Sequence, residues 1–473
     1  MMAAATDIRG AGGQDALVAR VVAGGDLYAA LGLYAGAGPG ARAALEPVIF
    51  ASPRQKLITA AAAFAPASLL DRLAADAGEA LALRLAKNPA TPTSALRRLL
   101  GRCGDARMAR CLAAHDHADA AILDELASHP AVEVRRAVAG NPAAPAGVIG
   151  RLAADDDGLI RRAAAAAPEA DAGTLARLWQ TGDDGVRAEI AAHPNCPADL
   201  LAAALRSTDA RLRRRLASNP SLGAAELEQL LADPDDGVRA AAVRNPTVSD
   251  AGIDTGREPS ARIRRLIARR HQLGADVIAR LAADPDPWVR RWIARHPDLP
   301  AGLLARLAQD DDPGIRRSVA RNPASPPDLL VRLAQDTAPW VQAGVALRED
   351  APPEAVGALL SSRDRDVLGA LGRNPATPAT TLKAIAASGD ADVRRSIAFN
   401  RAAPQAAVLL LAADPYPLNR AMIVGHPLLD DGALADLLDD PDPQVRFAAA
   451  RRLGRRAASF PPRNSDGKPG DDE

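Results

Sequence analysis

The sequence predicts an all-α tandem array, and three observations predict it. A motif recurs at a fixed step of 26 residues. The chain of 473 residues is 48% hydrophobic but only 3% aromatic, with alanine and leucine supplying the bulk. Its apolar residues fall at three- and four-residue steps, as in "LLARLAQD" and "VRRSVARN", without the alternation of a strand. Alanine and leucine favour helices and pack closely, whereas sheets draw on β-branched and aromatic side chains.

The register is fixed by one column. Asn141, Ala167, His193, Asn219 and Asn245 stand 26 residues apart, each followed by proline. After one 25-residue step to Arg270 the register resumes through His296, Asn322, Arg348, Asn374, Asn400, His426 and Arg452. Upstream it reaches His115, then Asn88 by a 27-residue step, and Ala62. About fifteen units cover 62–454.

Each unit reads as two short helices. In "NPASPPDLLVRLAQD" (322–336) a proline four residues after the Asn starts a leucine-centred helix, as do Pro300 and Pro378 in their own units. Proline is tolerated there because first-turn amides have no intrahelical acceptor. In "DPQVRFAAARRLG" (442–454) an aspartate precedes the valine by three, where an N-cap belongs. Asp157, Asp183, Asp209, Asp235, Asp286, Asp312, Asp364 and Asp390 repeat that position. The Asn/His column then closes the second helix; Asn tolerates the left-handed conformation that ends helices, and the following proline prevents continuation.

The unit "NPxxPxxLLxRLAxDxDxxVRRxVAxNP" resembles the leucine-rich repeat variant family. That resemblance implies alternating α- and 3-10 helices stacked into a right-handed solenoid. Family members with an N-terminal cysteine cluster bind an iron–sulfur centre, but residues 1–102 contain no cysteine here, so no cofactor is expected. Single units are also similar to HEAT-type repeats, likewise helical solenoids. The strand-containing leucine-rich repeat is excluded, because its L-x-x-L-x-L-x-x-N register is missing.

Among candidate sites, the arginine after the valine recurs at Arg135, Arg161, Arg187, Arg213, Arg239, Arg264, Arg290, Arg316, Arg394, Arg420 and Arg446. Stacking would set this column beside the capping aspartates as a charge ladder, the use HEAT repeats imply; the alternative is a phosphate-binding stripe. One unit, "REPSARIRRLIARRHQ" (257–272), loses the capping aspartate and gains Arg257, Arg262, Arg264, Arg265, Arg269 and Arg270, a local patch for an anion or nucleic acid. Trp288 and Trp340 share the column before the valine in units two apart, with Gly314 between them. The two rings are expected to rim an exposed slot over Gly314, flanked by Arg290, Arg291 and Arg316, where a partner would anchor. Trp292 and Trp179 read as core. His115, His193, His296 and His426 read as helix-end residues bonded to local backbone, with no metal-ligand spacing.

Lys plus Arg and Asp plus Glu both number 58, so no global field draws the chain to nucleic acid or anionic lipid. Three cysteines, Cys103, Cys111 and Cys196, make no disulfide framework and suit a reducing cytoplasm. No apolar run approaches the ~20 residues that span a bilayer. There is no nucleophile elbow, phosphate loop or H-E-x-x-H. Residues 1–61 read as an N-terminal helical cap and 455–473 as a disordered tail.

The expectation is therefore a monomeric, cytoplasmic, non-catalytic scaffold binding a peptide or protein partner, with neither metal nor membrane. Nucleic-acid binding through the arginine column and 257–272 is the alternative. A HEAT-like DNA-repair enzyme, needing an aspartate such as Asp286 beside Trp340, comes last.

Overall fold

The computed structural model describes residues 11–248, 253, 258–270 and 272–458. Among these are 33 α-helices and no strand, an all-α solenoid. The chain falls into two compact units, one spanning Ala60–Leu307 and the other joining the residues up to Thr59 with those from Ala308 onward.

Both helices of a repeat are α-helical, which corrects the alternating α and 3-10 expectation. Among the described residues 3-10 turns occur at Ser396–Phe399 and Leu437–Asp439, each continuing an α-helix. The cause is visible in Pro287–Ile293: Val289 and Ile293 are buried four residues apart, the spacing of a 3.6-residue turn. In the first helix Pro327–Leu333, Leu329, Leu330 and Leu333 are buried. The helix-starting prolines stand at the cap itself: Pro326 has φ −63° and ψ 152°, extended geometry that its ring permits. The aspartate caps form as expected. Asp157 accepts from the Leu159 and Ile160 amides, Asp183 from Val186, and Asp390 from Asp392 and Val393.

The Asn/His column differs from its expected role. No residue other than glycine has positive φ among those described, and Asn245 (φ −62°) and Asn374 (φ −80°) are extended. Asparagine is there for its amide. Asn219 Nδ2 donates to the carbonyls of Ala191 (2.9 Å) and His193 (2.8 Å) in the preceding unit, while its Oδ1 accepts from the Ser221 amide (2.8 Å). Asn141, Asn245 and Asn374 repeat the pattern. Histidine mimics it. His193 Nδ1 accepts from the Asn195 amide at 3.0 Å, leaving Nε2 to donate to the Ala167 carbonyl 2.9 Å away, and His115 and His426 do likewise. Arg270 holds the same place with two bonds, to the carbonyls of Val243 and Val248.

In the second unit the N-terminal helices, expected to cap the start of the array, pack against its last repeat. Helix Leu27–Tyr34 lies on helix Pro443–Ala458, and Arg446 Nε meets Asp26 at 2.5 Å. A Cβ at Gly32 would fall 2.6 Å from the Phe447 carbonyl oxygen, so only glycine allows this approach. Helix Pro443–Ala458 runs four residues into the segment read as a tail; 459–473 lie outside the described residues.

Candidate functional site

The valine-adjacent arginines form a ladder, with a different acidic partner from the one expected. Six of them reach the aspartate that follows the first helix of the next unit, two residues before the cap, whereas Arg161 and Arg187 meet Thr181 and Ser207 at that place and bond within their own repeats. Arg135 pairs with Asp155 (2.7 Å), Arg213 with Asp233 (2.7 Å), Arg264 with Asp284 (2.7 Å), Arg316 with Asp336 (2.7 Å), Arg394 with Asp414 (2.6 Å) and Arg420 with Asp440 (2.6 Å). The capping carboxylates are engaged with their own helix amides, whereas Asp155 and Asp233 turn toward the preceding unit while accepting from the Asp157 and Asp235 amides. The other end of each guanidinium grips its own loop, as Arg213 Nη1 does the Ser207 carbonyl.

These pairs are mostly buried and set each other's charge. The hydrogen bond from Arg213 holds the Asp233 carboxyl below the usual carboxylate range against the opposing pull of burial, and Arg135 does the same for Asp155. At the 25-residue step the ladder survives by a longer side chain: Arg239 pairs at 3.0 Å with Glu258, one residue nearer in sequence than its counterparts. The last rung is Arg446 with Asp26, so the N-terminal helices supply the carboxylate that a further repeat would.

The paired arginines of this column, turned toward the next unit, have little left for an external anion, which weighs against a phosphate stripe along it. Arg264 and Arg316 belong to the ladder, and Arg290 donates to the carbonyls of Asp284 and Pro285. Part of the basic repeat is spent in the same way. Arg264 and Arg265 are paired with Asp284 and Asp286, Arg270 holds two carbonyls, and Arg257 lies outside the described residues. Ser260 stands at the cap of that repeat without a side-chain bond, as expected from the lost aspartate. Arg262 and Arg269 are exposed.

The tryptophans divide between the units. In the first, Trp288 is half exposed (50%), and the Arg291 guanidinium stacks 5.1 Å from its ring centre. In the second, Trp340 is half-buried with Arg317 over its ring at 5.8 Å, and Gly314 is buried, its amide donated to Asp312. Gly314 is thus not the exposed floor that the expected slot required. Asp286 is held by Arg265 and by the Trp288 and Val289 amides, which lowers its pKa. That carboxylate is no free base for the repair-enzyme reading.

Sequence reasoning missed Trp292. It is half-buried rather than core, and two guanidiniums lie over its ring, Arg269 at 4.6 Å and Arg295 at 4.9 Å from the ring centre. The signal was available: 288, 291, 292 and 295 are spaced i, i+3, i+4, i+7, along one face of helix Pro287–Ile293 and the turn that follows it. The equivalent stripe of the preceding repeat is Arg262, Arg265, Leu266 and Arg269. Together the eight positions hold five arginines, two tryptophans and no carboxylate, on a chain of zero net charge.

Cys196 is buried, which pushes its thiol up to about 12 and leaves it un-nucleophilic, and burial raises Cys103 as well. No cluster of three metal-ligating side chains occurs among the described residues. No described helix is long and apolar enough to cross a membrane.

The family described as "Leucine rich repeat variant" matches the chain at residues 132–157, 287–312 and 313–337. A solved leucine-rich repeat variant with a novel repetitive structural motif is similar at 26% identity, over 54% of this chain and 94% of that one, with a TM-score of 0.31. Kap95p, in a structure concerning its binding to RanGDP, is similar at 11% identity over 88% of this chain (TM-score 0.25), and Kap121p bound to Ste12p at 12% over 89% (TM-score 0.23). The chain spans 61% and 52% of those two proteins. No curated protein matches it.

Proposed function

We propose that this chain, which matches leucine-rich repeat variant units at three places, is a non-catalytic scaffold that holds an extended, acidic segment of a protein partner. The partner lies along the outer stripe of helices Ala261–Ile267 and Pro287–Ile293. The observation that carries this reading is a split among the arginines of these two repeats: Arg264 and Arg265 are paired with carboxylates inside the array, while Arg262 and Arg269 are exposed and Arg291 stacks on the Trp288 ring. A guanidinium stacked face-on over an indole keeps its N–H edges for bidentate contact with a carboxylate. Tryptophan and arginine are also the side chains that most often dominate interfaces. Single-stranded nucleic acid is disfavoured because base stacking needs an open ring face, and two guanidiniums already lie over the Trp292 ring. The unpaired cysteines support a reducing, cytoplasmic setting.

Fluorescence anisotropy with a labelled twelve-residue Glu/Asp-rich peptide, run beside a single-stranded oligonucleotide of equal charge, tests the proposal. The expected result is saturable peptide binding that weakens at least about tenfold, or 1.4 kcal/mol, in the Trp288→Ala/Trp292→Ala variant. Preference for the oligonucleotide, or binding indifferent to the two substitutions, would falsify it.

A further inference from the structure

A second recognition site lies apart from that stripe, in the unit that runs on from Ala308. There a depression of about 250 Å³ opens among three consecutive second helices, Pro339–Ala346, Arg365–Arg373 and Ala391–Arg395, and the Arg317 side chain from the helix before them. Its floor is made by residues too small to fill it, Ala343, Gly369 and Ala370, where Gly369 and Ala343 stand at the position two after the valine that holds arginine in several repeats, as at Arg291, Arg317 and Arg395. A Cβ built on Gly369 meets nothing within 4 Å, so the space above it is open.

Two arginines line this depression, each stacked on an aromatic ring. Arg317 lies 5.8 Å from the centre of Trp340, its stem passing over Gly344, where a Cβ would press to 3.2 Å against Arg317 Cγ. Arg373 lies 4.9 Å from the centre of Phe399, which is 52% exposed. Arg317 Nε is buried with no hydrogen-bond acceptor among the described residues, and buried guanidinium nitrogens are ordinarily bonded. The third arginine of the lining, Arg365, is already paired with Asp392 at 2.8 Å and Asp390 at 3.6 Å. Arg395 also pairs with Asp392 at 2.7 Å, so Arg365 and Arg395 together offset Asp390 and Asp392; Arg317 and Arg373 then face a single carboxylate, Asp366, leaving one net positive charge.

We infer that this depression is a binding site for a carboxylate monoanion, such as a glutamate side chain presented by a protein segment, with its aliphatic part over Ala343, Leu347 and Val393. The two stacked guanidiniums supply in-plane N–H donors that match a carboxylate, and Asp366 disfavours a dianion. The site is independent of the Trp288/Trp292 stripe, so failure of either leaves the other standing.

The probe is N-acetyl-glutamate amide, titrated into the full chain and followed by the fluorescence of Trp340 with the other three tryptophans changed to phenylalanine. N-acetyl-glutamine amide and inorganic phosphate are run in parallel. The expected outcome is a saturable change with the glutamate compound alone, about tenfold weaker in Arg317→Gln or Arg373→Gln. Gly369→Leu places a side chain in the open space, so it should abolish binding while the melting temperature is unchanged or higher, because leucine favours the helix over glycine. Thus loss of binding there cannot be loss of fold. Equal response to the glutamine compound, tighter binding of phosphate, or undiminished binding in Gly369→Leu each overturns the inference.

Discussion

Asn219 offers the sharpest test of what holds one repeat to the next. It is fully buried, donates to the carbonyls of Ala191 and His193, and accepts from the Ser221 amide, so three hydrogen bonds depend on one side chain. At a net value of about 1 kcal/mol each, Asn219→Ala should cost ~3 kcal/mol, since it strands two buried carbonyls and an amide. Asn219→His should cost only about 1 kcal/mol, because histidine at 193 and 426 keeps the amide bond and one carbonyl bond. Asn219→Asp retains the acceptor but turns a carboxylate on two carbonyls, so it should be at least as damaging as alanine. Urea unfolding followed by circular dichroism ranks the variants, and hydrogen exchange at the Ser221 amide localises the effect, which is needed because arrays of repeats can unfold in parts. If histidine proves no better than alanine, or alanine costs less than ~1 kcal/mol, the column is not a hydrogen-bonding device.

Two further outcomes follow from the ladder and the N-terminal helices. Asp155 and Asp233 titrate below their unfolded value, so their stabilisation is fully present above about pH 4 and is lost as pH falls through the lowered folded values. The urea midpoint should be flat from pH 7 to about 4 and fall below it, and a midpoint that rises on acidification would contradict the ladder. Gly32→Ala sets a methyl against the Phe447 carbonyl and should cost about 1–3 kcal/mol of docking, seen as faster proteolysis within 11–50; unchanged protection would refute the close approach.

The period, the helices and the aspartate caps were legible because each depends on residues within one unit. What the sequence left open were relations between units. In "DPDP" either aspartate can face the arginine column, and only the packed array shows Asp284 on Arg264 while Asp286 caps its helix. Asparagine at a helix end reads equally as a backbone conformer or as an amide donor, and the carbonyls that decide between them lie 26 and 28 residues upstream. The docking of Asp26 on Arg446 spans 420 residues, beyond any local pattern. At the site, the stripe containing Trp292 was readable as i, i+3, i+4, i+7, but counting arginines in 257–272 could not separate those bonded into the array from those left outside it.

That separation is the central claim, and two neighbouring residues test it. Arg290 grips the loop carbonyls of its own repeat, whereas Arg291 stacks on Trp288. The urea midpoint and the affinity for the acidic peptide are measured on Arg290→Gln and Arg291→Gln. Arg290→Gln should lower stability by about 1–3 kcal/mol with peptide affinity unchanged. Arg291→Gln should change stability by less than ~1 kcal/mol and weaken the peptide about tenfold. Equal effects of the two substitutions, or the reverse assignment, would contradict it.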